Sequence, residues 1–216
     1  CSIGAAHWIH AIRYNMNITM LLHDNQIYGL TKNQVSPTSP LGTRSNTTPR
    51  GSYLDALNPL TVTLGVQNVS FVAQVVDWIP EALYSIISAA YRHKGFSFVR
   101  IIQRCPEWLP TMFEPWMRDP ERILLVNHER GLTLSPDLAR IYKNQVTHDP
   151  SDINRAREIA STIDPIPVGI LYHNPEVPLY EEVRQAGQMR TIEKIRTGLN
   201  SELDKFTVWP EGAQPA

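Results

Sequence analysis

Three short runs of apolar and β-branched residues, 18–22, 71–76 and 96–102, each follow a segment whose apolar residues recur at helical spacing. Strands this short and this apolar belong in a sheet covered on both faces, and strands alternating with helices demand parallel crossover connections. The chain therefore predicts an α/β fold with a doubly wound, mostly parallel sheet. In the first helical segment, residues 3–15, Ala5, Trp8, Ile9 and Ile12, followed by Met16, form an apolar side. His7, His10, Tyr14 and Asn17 lie on another side, and Ser2 is the expected N-cap. Asn58-Pro59 reads as an N-cap followed by a first-turn proline, opening a short helix through Leu64. Leu83, Ile86, Ile87, Ala90 and Tyr91 predict a helix over 81–93 that Gly95 stops.

Between these elements, residues 36–53 are rich in Pro, Ser, Thr and Gly, which predicts a long loop. It is either a solvated segment or a cover for an anionic ligand, through Arg44 and Arg50. From Glu107 the character changes to an aromatic, proline-rich connection containing Trp108, Pro110, Phe113, Pro115 and Trp116. A helix over 152–162, a strand over 168–172 and an amphipathic helix over 192–206 follow, the last carrying Ile195, Leu199, Leu203 and Phe206. The expected division is a partial α/β domain at 1–106 and a C-terminal extension at 107–216 that wraps it and makes contacts between subunits.

Charge and cysteine usage narrow the partners. A net charge of −1 provides no field to attract nucleic acid or an anionic membrane, so neither is expected. No apolar run approaches the roughly 20 residues that span a bilayer. Two cysteines, Cys1 and Cys105, argue against a disulfide framework and for a reducing, cytoplasmic setting. The first residue is Cys1 rather than Met, which leads us to expect a longer natural chain.

The chemistry is expected at residues 18–39. The first strand runs into Asp24-Asn25-Gln26, and open α/β sheets bind ligands just past the carboxyl ends of their strands. The side-chain oxygen of Asn25 and the carbonyl of Ile27 could point at one spot. Neutral oxygens suit Mg²⁺, which usually shares its shell with phosphates, and the competing reading is a capped polar turn. The strand over 96–102 ends in Gln103-Arg104-Cys105-Pro106. A cysteine there could be a nucleophile, a cluster ligand or a small buried hydrophobe, and the residues alone favour the last.

Taken whole, SIGAAHWIHAIRYNMNITMLLHDNQIYGLTKNQVSPTSP resembles the β subunit of 2-oxoacid:ferredoxin oxidoreductases, the 2-oxoglutarate type in particular. The resemblance continues through Asn58-Pro59 to Gln103-Arg104-Cys105-Pro106 and is loose beyond. It implies a thiamine diphosphate-binding fold. In it Asn25 and the Ile27 carbonyl hold Mg²⁺, and Gly29, Leu30 and Thr31 line the diphosphate pocket. The acidic Mg²⁺ ligand belongs to a Gly-Asp-Gly-Asp segment that in the family precedes the position of Cys1. Cys105 matches the fourth cysteine of a [4Fe-4S] cluster, which reverses the hydrophobe reading, whereas Cys1 matches no ligand. Lys32 becomes the best cation for a substrate carboxylate, against the plainer reading of a surface lysine. Two departures bear on loop geometry: Asn33 stands where the family commonly has glycine, and Ala5-Ala6 where Gly-Asn is usual.

The implied reaction is a thiamine-dependent oxidative decarboxylation of a 2-oxoacid, 2-oxoglutarate favoured, to an acyl-coenzyme A. Electrons pass through the cluster to ferredoxin. No glutamate near the motif is placed to activate the cofactor, in keeping with a family in which the partner α subunit supplies it. The chain is therefore expected to be inactive alone. The rival readings are a non-oxidative thiamine enzyme without a cluster and a non-catalytic assembly subunit.

Overall fold

The computed structural model describes residues 2–132, 135–186 and 192–208. The chain opens with α1 (Ala5–Tyr14), β1 (Thr19–Asp24), a small hairpin of β2 (Ile27–Tyr28) and β3 (Gln34–Val35), α2 (Pro59–Leu64), β4 (Phe71–Val76), α3 (Pro80–Arg92) and β5 (Ser97–Ile102). It continues with α4 (Glu114–Arg118), β6 (Ile123–Asn127), α5 (Pro136–Ile141), β7 (Gln145–Thr147), α6 (Ile153–Ala160), β8 (Ile166–His173), α7 (Tyr180–Gln185) and α8 (Ile192–Asp204). The Asn58 cap forms as the sequence predicts, its side chain accepting from the backbone N–H groups of Leu60 and Thr61 at 3.0 and 3.4 Å. Ser2 does not cap α1. The helix begins after Gly4 with no side-chain cap, and Ser2 Oγ pairs instead with the Tyr28 hydroxyl at 2.7 Å.

Six strands form one sheet in the order β1-β5-β4-β8-β6-β7. The β1–β5, β5–β4, β8–β6 and β6–β7 pairings are parallel, and β4–β8 is antiparallel. Two parallel blocks of three strands thus run in opposite directions and meet at β4–β8. The fold is the mostly parallel α/β sheet read from the sequence. A boundary at residue 106, however, cuts through it, because β6, β7 and β8 supply half of the strands and β8 is buried against β4. The chain divides instead into residues 1–180 and 181–216. In the second unit α8 forms, and Ile195, Leu199, Leu203 and the following Phe206 are exposed. Cys1 and the tail from residue 209 lie outside the described residues.

Side-chain alternation assigns the two layers. Phe71, Ala73, Val75, Val99 and Ile101 pack under Ala82, Ile86 and Ala90 of α3. Val72 and Phe98 face Trp8 and Ile12 of α1, Leu60 and Leu64 of α2, and Ile159 of α6. The long loop after β3 is held by its own hydrogen bonds: Gly42 N–H donates to Ser52 O at 2.8 Å, Ser52 N–H to Thr43 O at 2.9 Å, and both Thr43 Oγ1 and Ser52 Oγ donate to Pro40 O at 2.6 Å. Arg44 and Arg50 are exposed on it.

Asn15 closes α1 in the left-handed conformation, with φ 46°, and ties three segments together. Its Oδ1 accepts from Ser70 Oγ at 2.6 Å and from Phe96 N–H at 2.8 Å, and its Nδ2 donates to the carbonyls of Val177 and Pro178 at 3.0 and 3.3 Å. His93 Nε2 stands 2.9 Å from Ser70 Oγ, and its ring meets that of His173 edgewise at 5.1 Å, with Phe71 packed on both. Burial first, and then the neighbouring His173, push His93 down to about 4. Burial, and then Arg130, hold His173 below its ordinary value.

A pH dependence follows. Both folded pKa values lie below 6.5, so the unfolded chain takes up protons first as pH falls. The stability from the neutral pair is complete above about 6.5, is lost between 6.5 and about 4, and levels off below. Urea midpoints measured across that window will fall more steeply for the parent chain than for His93→Gln. Parallel slopes in the two chains would contradict this.

Candidate functional site

β1 ends on Asp24, which is buried. The register sets Leu22 beside Arg100 and Asp24 beside Ile102, so the Arg100 side chain reaches along the sheet to the carboxylate. Arg100 Nε and Nη2 lie 2.8 and 2.6 Å from Asp24 Oδ2, and Nη1 donates to Gln74 Oε1 at 3.1 Å. Gln74 Nε2 donates in turn to the Pro167 carbonyl at 2.8 Å. The second carboxylate oxygen, Asp24 Oδ1, accepts from Gln26 N–H at 3.1 Å and Thr38 Oγ1 at 2.5 Å. A buried ion pair is tolerable only when further hydrogen bonds offset the desolvation of both charges, and here each carboxylate oxygen has two donors.

Past Asp24 the chain makes a second local turn, with Asn25 Oδ1 accepting from Ile27 N–H at 3.2 Å. The two residues expected to hold Mg²⁺ are thus brought into one turn. Gln26 between them has φ 60°, and its carbonyl accepts from Ser39 Oγ at 2.5 Å. The β2–β3 hairpin carries residues 29–33 at its tip, where Lys32 N–H donates to Gly29 O at 3.0 Å and the Thr31 and Gln34 side chains pair. Lys32 and Asn33 both have φ 67°, and Asn46 pins them, its Nδ2 donating to Lys32 O at 2.8 Å and its N–H to Asn33 O at 3.2 Å. Asparagine is among the few non-glycine residues that tolerate this conformation, which suits Asn33 to its place in the turn. Leu30 is fully exposed, and Thr31 and Lys32 are exposed beside it.

Cys105 is buried beside Gly29 of this hairpin. A Cβ placed on Gly29 would stand 3.1 Å from Trp108 Cδ1 and 3.7 Å from Cys105 Sγ, so a larger residue there would press on the Trp108 ring. A cavity of about 420 Å³ opens beside the turn, bordered by Gln26, Thr38, Gln74, Arg100, Leu57 and Trp116.

The donors present can be weighed against the implied groups. For a hard cation, Asn25 Oδ1 and the Ile27 carbonyl are neutral oxygens of the right kind, and among the described residues Gln26 Oε1 and Asn33 Oδ1 are buried without hydrogen-bond partners. For an iron–sulfur cluster, which takes four ligands, the described residues offer one thiol, Cys105. Among the described residues no three His, Cys, Asp or Glu side chains are grouped to hold a metal, and no helix is long and apolar enough to cross a membrane.

Arg100, Gln74 and Thr38 were not singled out by sequence reasoning. A signal did exist: Arg100 and Gln74 each interrupt a run that is otherwise apolar, residues 98–102 and Phe71–Val76.

Comparison with known proteins identifies the relatives of this fold. Residues 2–101 match the family model described as thiamine pyrophosphate enzyme, C-terminal TPP binding domain, and residues 138–188 match the model for the C terminal of the pyruvate ferredoxin oxidoreductase beta subunit. The chain is 40% identical over 129 residues to 2-oxoglutarate oxidoreductase subunit KorB of Mycobacterium tuberculosis, covering 59% of this chain and 34% of that protein. It is 34% identical over 185 residues to a 2-oxoacid:ferredoxin oxidoreductase subunit beta of Sulfolobus sp, covering 83% and 56%. A solved 2-oxoglutarate:ferredoxin oxidoreductase from Magnetococcus marinus, with 2-oxoglutarate, coenzyme A and succinyl-CoA bound, superposes with a TM-score of 0.69 at 30% identity, over 92% of this chain and 63% of that one. The chain spans about a third to three fifths of the length of such curated relatives. It is a homologue of the β subunits of 2-oxoacid:ferredoxin oxidoreductases, built on the thiamine pyrophosphate-binding α/β fold.

Proposed function

We propose that this chain serves as the β subunit of a 2-oxoacid:ferredoxin oxidoreductase that oxidatively decarboxylates a 2-oxoacid, 2-oxoglutarate by preference, to an acyl-coenzyme A. When bound, thiamine diphosphate supplies the carbon nucleophile and electron sink that amino-acid side chains lack. The chain's own residues position it. Asn25 Oδ1 and the Ile27 carbonyl hold Mg²⁺, and the turn from Gly29 through Leu30 and Thr31 lines the diphosphate. Cys105 is one thiolate ligand of a [4Fe-4S] cluster. The site is completed by the α subunit, ferredoxin accepts the electrons, and the exposed apolar residues of α8 support a role in contacts between subunits. The working compartment is the cytoplasm.

The observation that carries the oxidative reading over a non-oxidative thiamine enzyme is the packing of Cys105 Sγ against the Gly29 hairpin. That proximity supports reading Cys105 as an iron ligand beside the loop proposed to line the cofactor, where electrons would leave. The test is the full complex purified anaerobically and assayed for 2-oxoacid- and coenzyme A-dependent ferredoxin reduction. A complex with neither iron-dependent absorbance nor that activity overturns the reading.

Two substitutions separate the roles. Cys105→Ser will remove the visible absorbance of the cluster and bring ferredoxin reduction below about a tenth of the parent rate. An intact cluster spectrum in that variant would disprove the ligand role. Lys32→Ala will raise KM for 2-oxoglutarate roughly tenfold to a hundredfold, the worth of one charge-assisted hydrogen bond, and leave pyruvate little changed. Equal effects on the two substrates would leave Lys32 a surface residue.

A further inference from the structure

We infer that Arg100 is a positioning residue for the cofactor turn: from β5 it fixes Asp24, and through Asp24 it sets the Asn25 and Ile27 oxygens. The inference rests on the reading of that turn as the Mg²⁺ and diphosphate site.

Arg100 occupies a strand whose other members are Ser, Phe, Val and Ile, and its side chain is 13% exposed. For folding alone, an apolar residue there would avoid the desolvation of two charges, and buried pairs are often no more stabilising than apolar replacements. What the pair adds is direction. The guanidinium is a rigid fork, with Nε and Nη2 on Asp24 Oδ2 and Nη1 on Gln74 Oε1. Gln74 is itself fixed to the Pro167 carbonyl, so the fork is referenced to both β4 and β8.

Asp24 then divides its oxygens between the sheet and the turn. Oδ2 takes Arg100, whereas Oδ1 takes Gln26 N–H and Thr38 Oγ1. The turn needs such a hold, because Gln26 at φ 60° stands in a left-handed conformation that disfavours a non-glycine residue. Asn25, between the two anchored residues, has its own oxygen aimed by Ile27 N–H. A lysine at 100 could supply charge but not the fork that spans Asp24 and Gln74. The Arg100 guanidinium is taken up by Asp24 and Gln74, so its effect on Asn25 and Ile27 passes through Asp24.

The experiment uses the assembled complex stripped of thiamine diphosphate and Mg²⁺, then titrated with each while activity and intrinsic fluorescence are followed. Arg100→Met will raise half-saturation for thiamine diphosphate at least about tenfold, the usual scale for residues that orient ligands from behind. At saturating cofactor, KM for the 2-oxoacid will be unchanged, a split that general loosening of the fold would not give. Arg100→Lys will recover only part of the loss. Because Arg100→Met strands the Asp24 charge, Asp24→Asn/Arg100→Met is measured beside it. The double variant keeps the melting temperature near that of the parent and still binds cofactor weakly. Parent-like half-saturation in both Arg100→Met and the double variant overturns the inference. Asn25→Ala tests the reading beneath it: unchanged cofactor half-saturation there overturns the assignment of the turn, whereas a loss there with none in the Arg100 variants overturns only the role of Arg100.

Discussion

Asp24→Ala will unfold at a much lower urea concentration than the parent chain, a loss of about 3–5 kcal/mol, because removing one partner leaves a buried charge uncompensated. Arg100 keeps Gln74 as an acceptor but loses both contacts to the carboxylate, and Gln26 N–H and Thr38 Oγ1 lose their common acceptor. The substitution therefore strands Gln26 N–H as well as one cation, and leaves Thr38 Oγ1 its contact with Ser36 Oγ. Asp24→Asn/Arg100→Met, which removes both charges and keeps an oxygen for the turn, will recover most of the stability. Asp24→Asn, Arg100→Met and the double form a thermodynamic cycle whose coupling term will be large and favourable. An Asp24→Ala chain within about 1 kcal/mol of the parent would mean that the pair is effectively solvated, contrary to its burial.

Asn15→Ala will cost about 3–4 kcal/mol, the second large effect expected. Asn15 is 1% exposed, and its amide serves Ser70, Phe96, Val177 and Pro178 at once. Alanine leaves Phe96 N–H buried without its partner and must also adopt φ 46°, which alone costs about 1 kcal/mol. Gly95 packs directly on the amide, where a Cβ would lie 2.5 Å from Asn15 Oδ1. Asn15→Gly, which relieves the backbone but not the lost hydrogen bonds, will recover roughly that 1 kcal/mol and no more. Hydrogen exchange at Phe96 N–H localises the damage. Fast exchange there, with the β1–β5 amides still protected, is the expected pattern.

The first half of the fold was legible because its signals are local. The Asn58-Pro59 cap, the run Phe71–Val76 and the periodic helix before Gly95 each depend on a few neighbouring residues, and each lies within a residue or two of its expected place. The second half was read as a wrapping extension because the place of β8 in the sheet depends on β4, a partner about a hundred residues earlier in the chain. The strand over 168–172 was visible, but its antiparallel union with β4 was not. The site divides in the same way. The turn at Asn25 and the hairpin tip through Lys32 were read from one contiguous stretch. The fork that holds them joins residues 76 positions apart, and only the oddity of an arginine in an apolar strand hinted at it.

The opposed directions of the two parallel blocks also decide where the molecule can be handled. The carboxyl ends of β1, β5 and β4 share an edge of the sheet with the entry into β8, so the segment between α6 and β8 borders the cavity, and Ile163 lies on its wall. Exposed Gln67 and Lys94 precede β4 and β5 at the other edge. Six residues of strand at about 3.3 Å each put them roughly 20 Å from Asp24 on the same rigid sheet. A dye or surface tether attached at either position would move with the cofactor turn without touching it, whereas the same attachment at Ile163 would obstruct the cavity beside it.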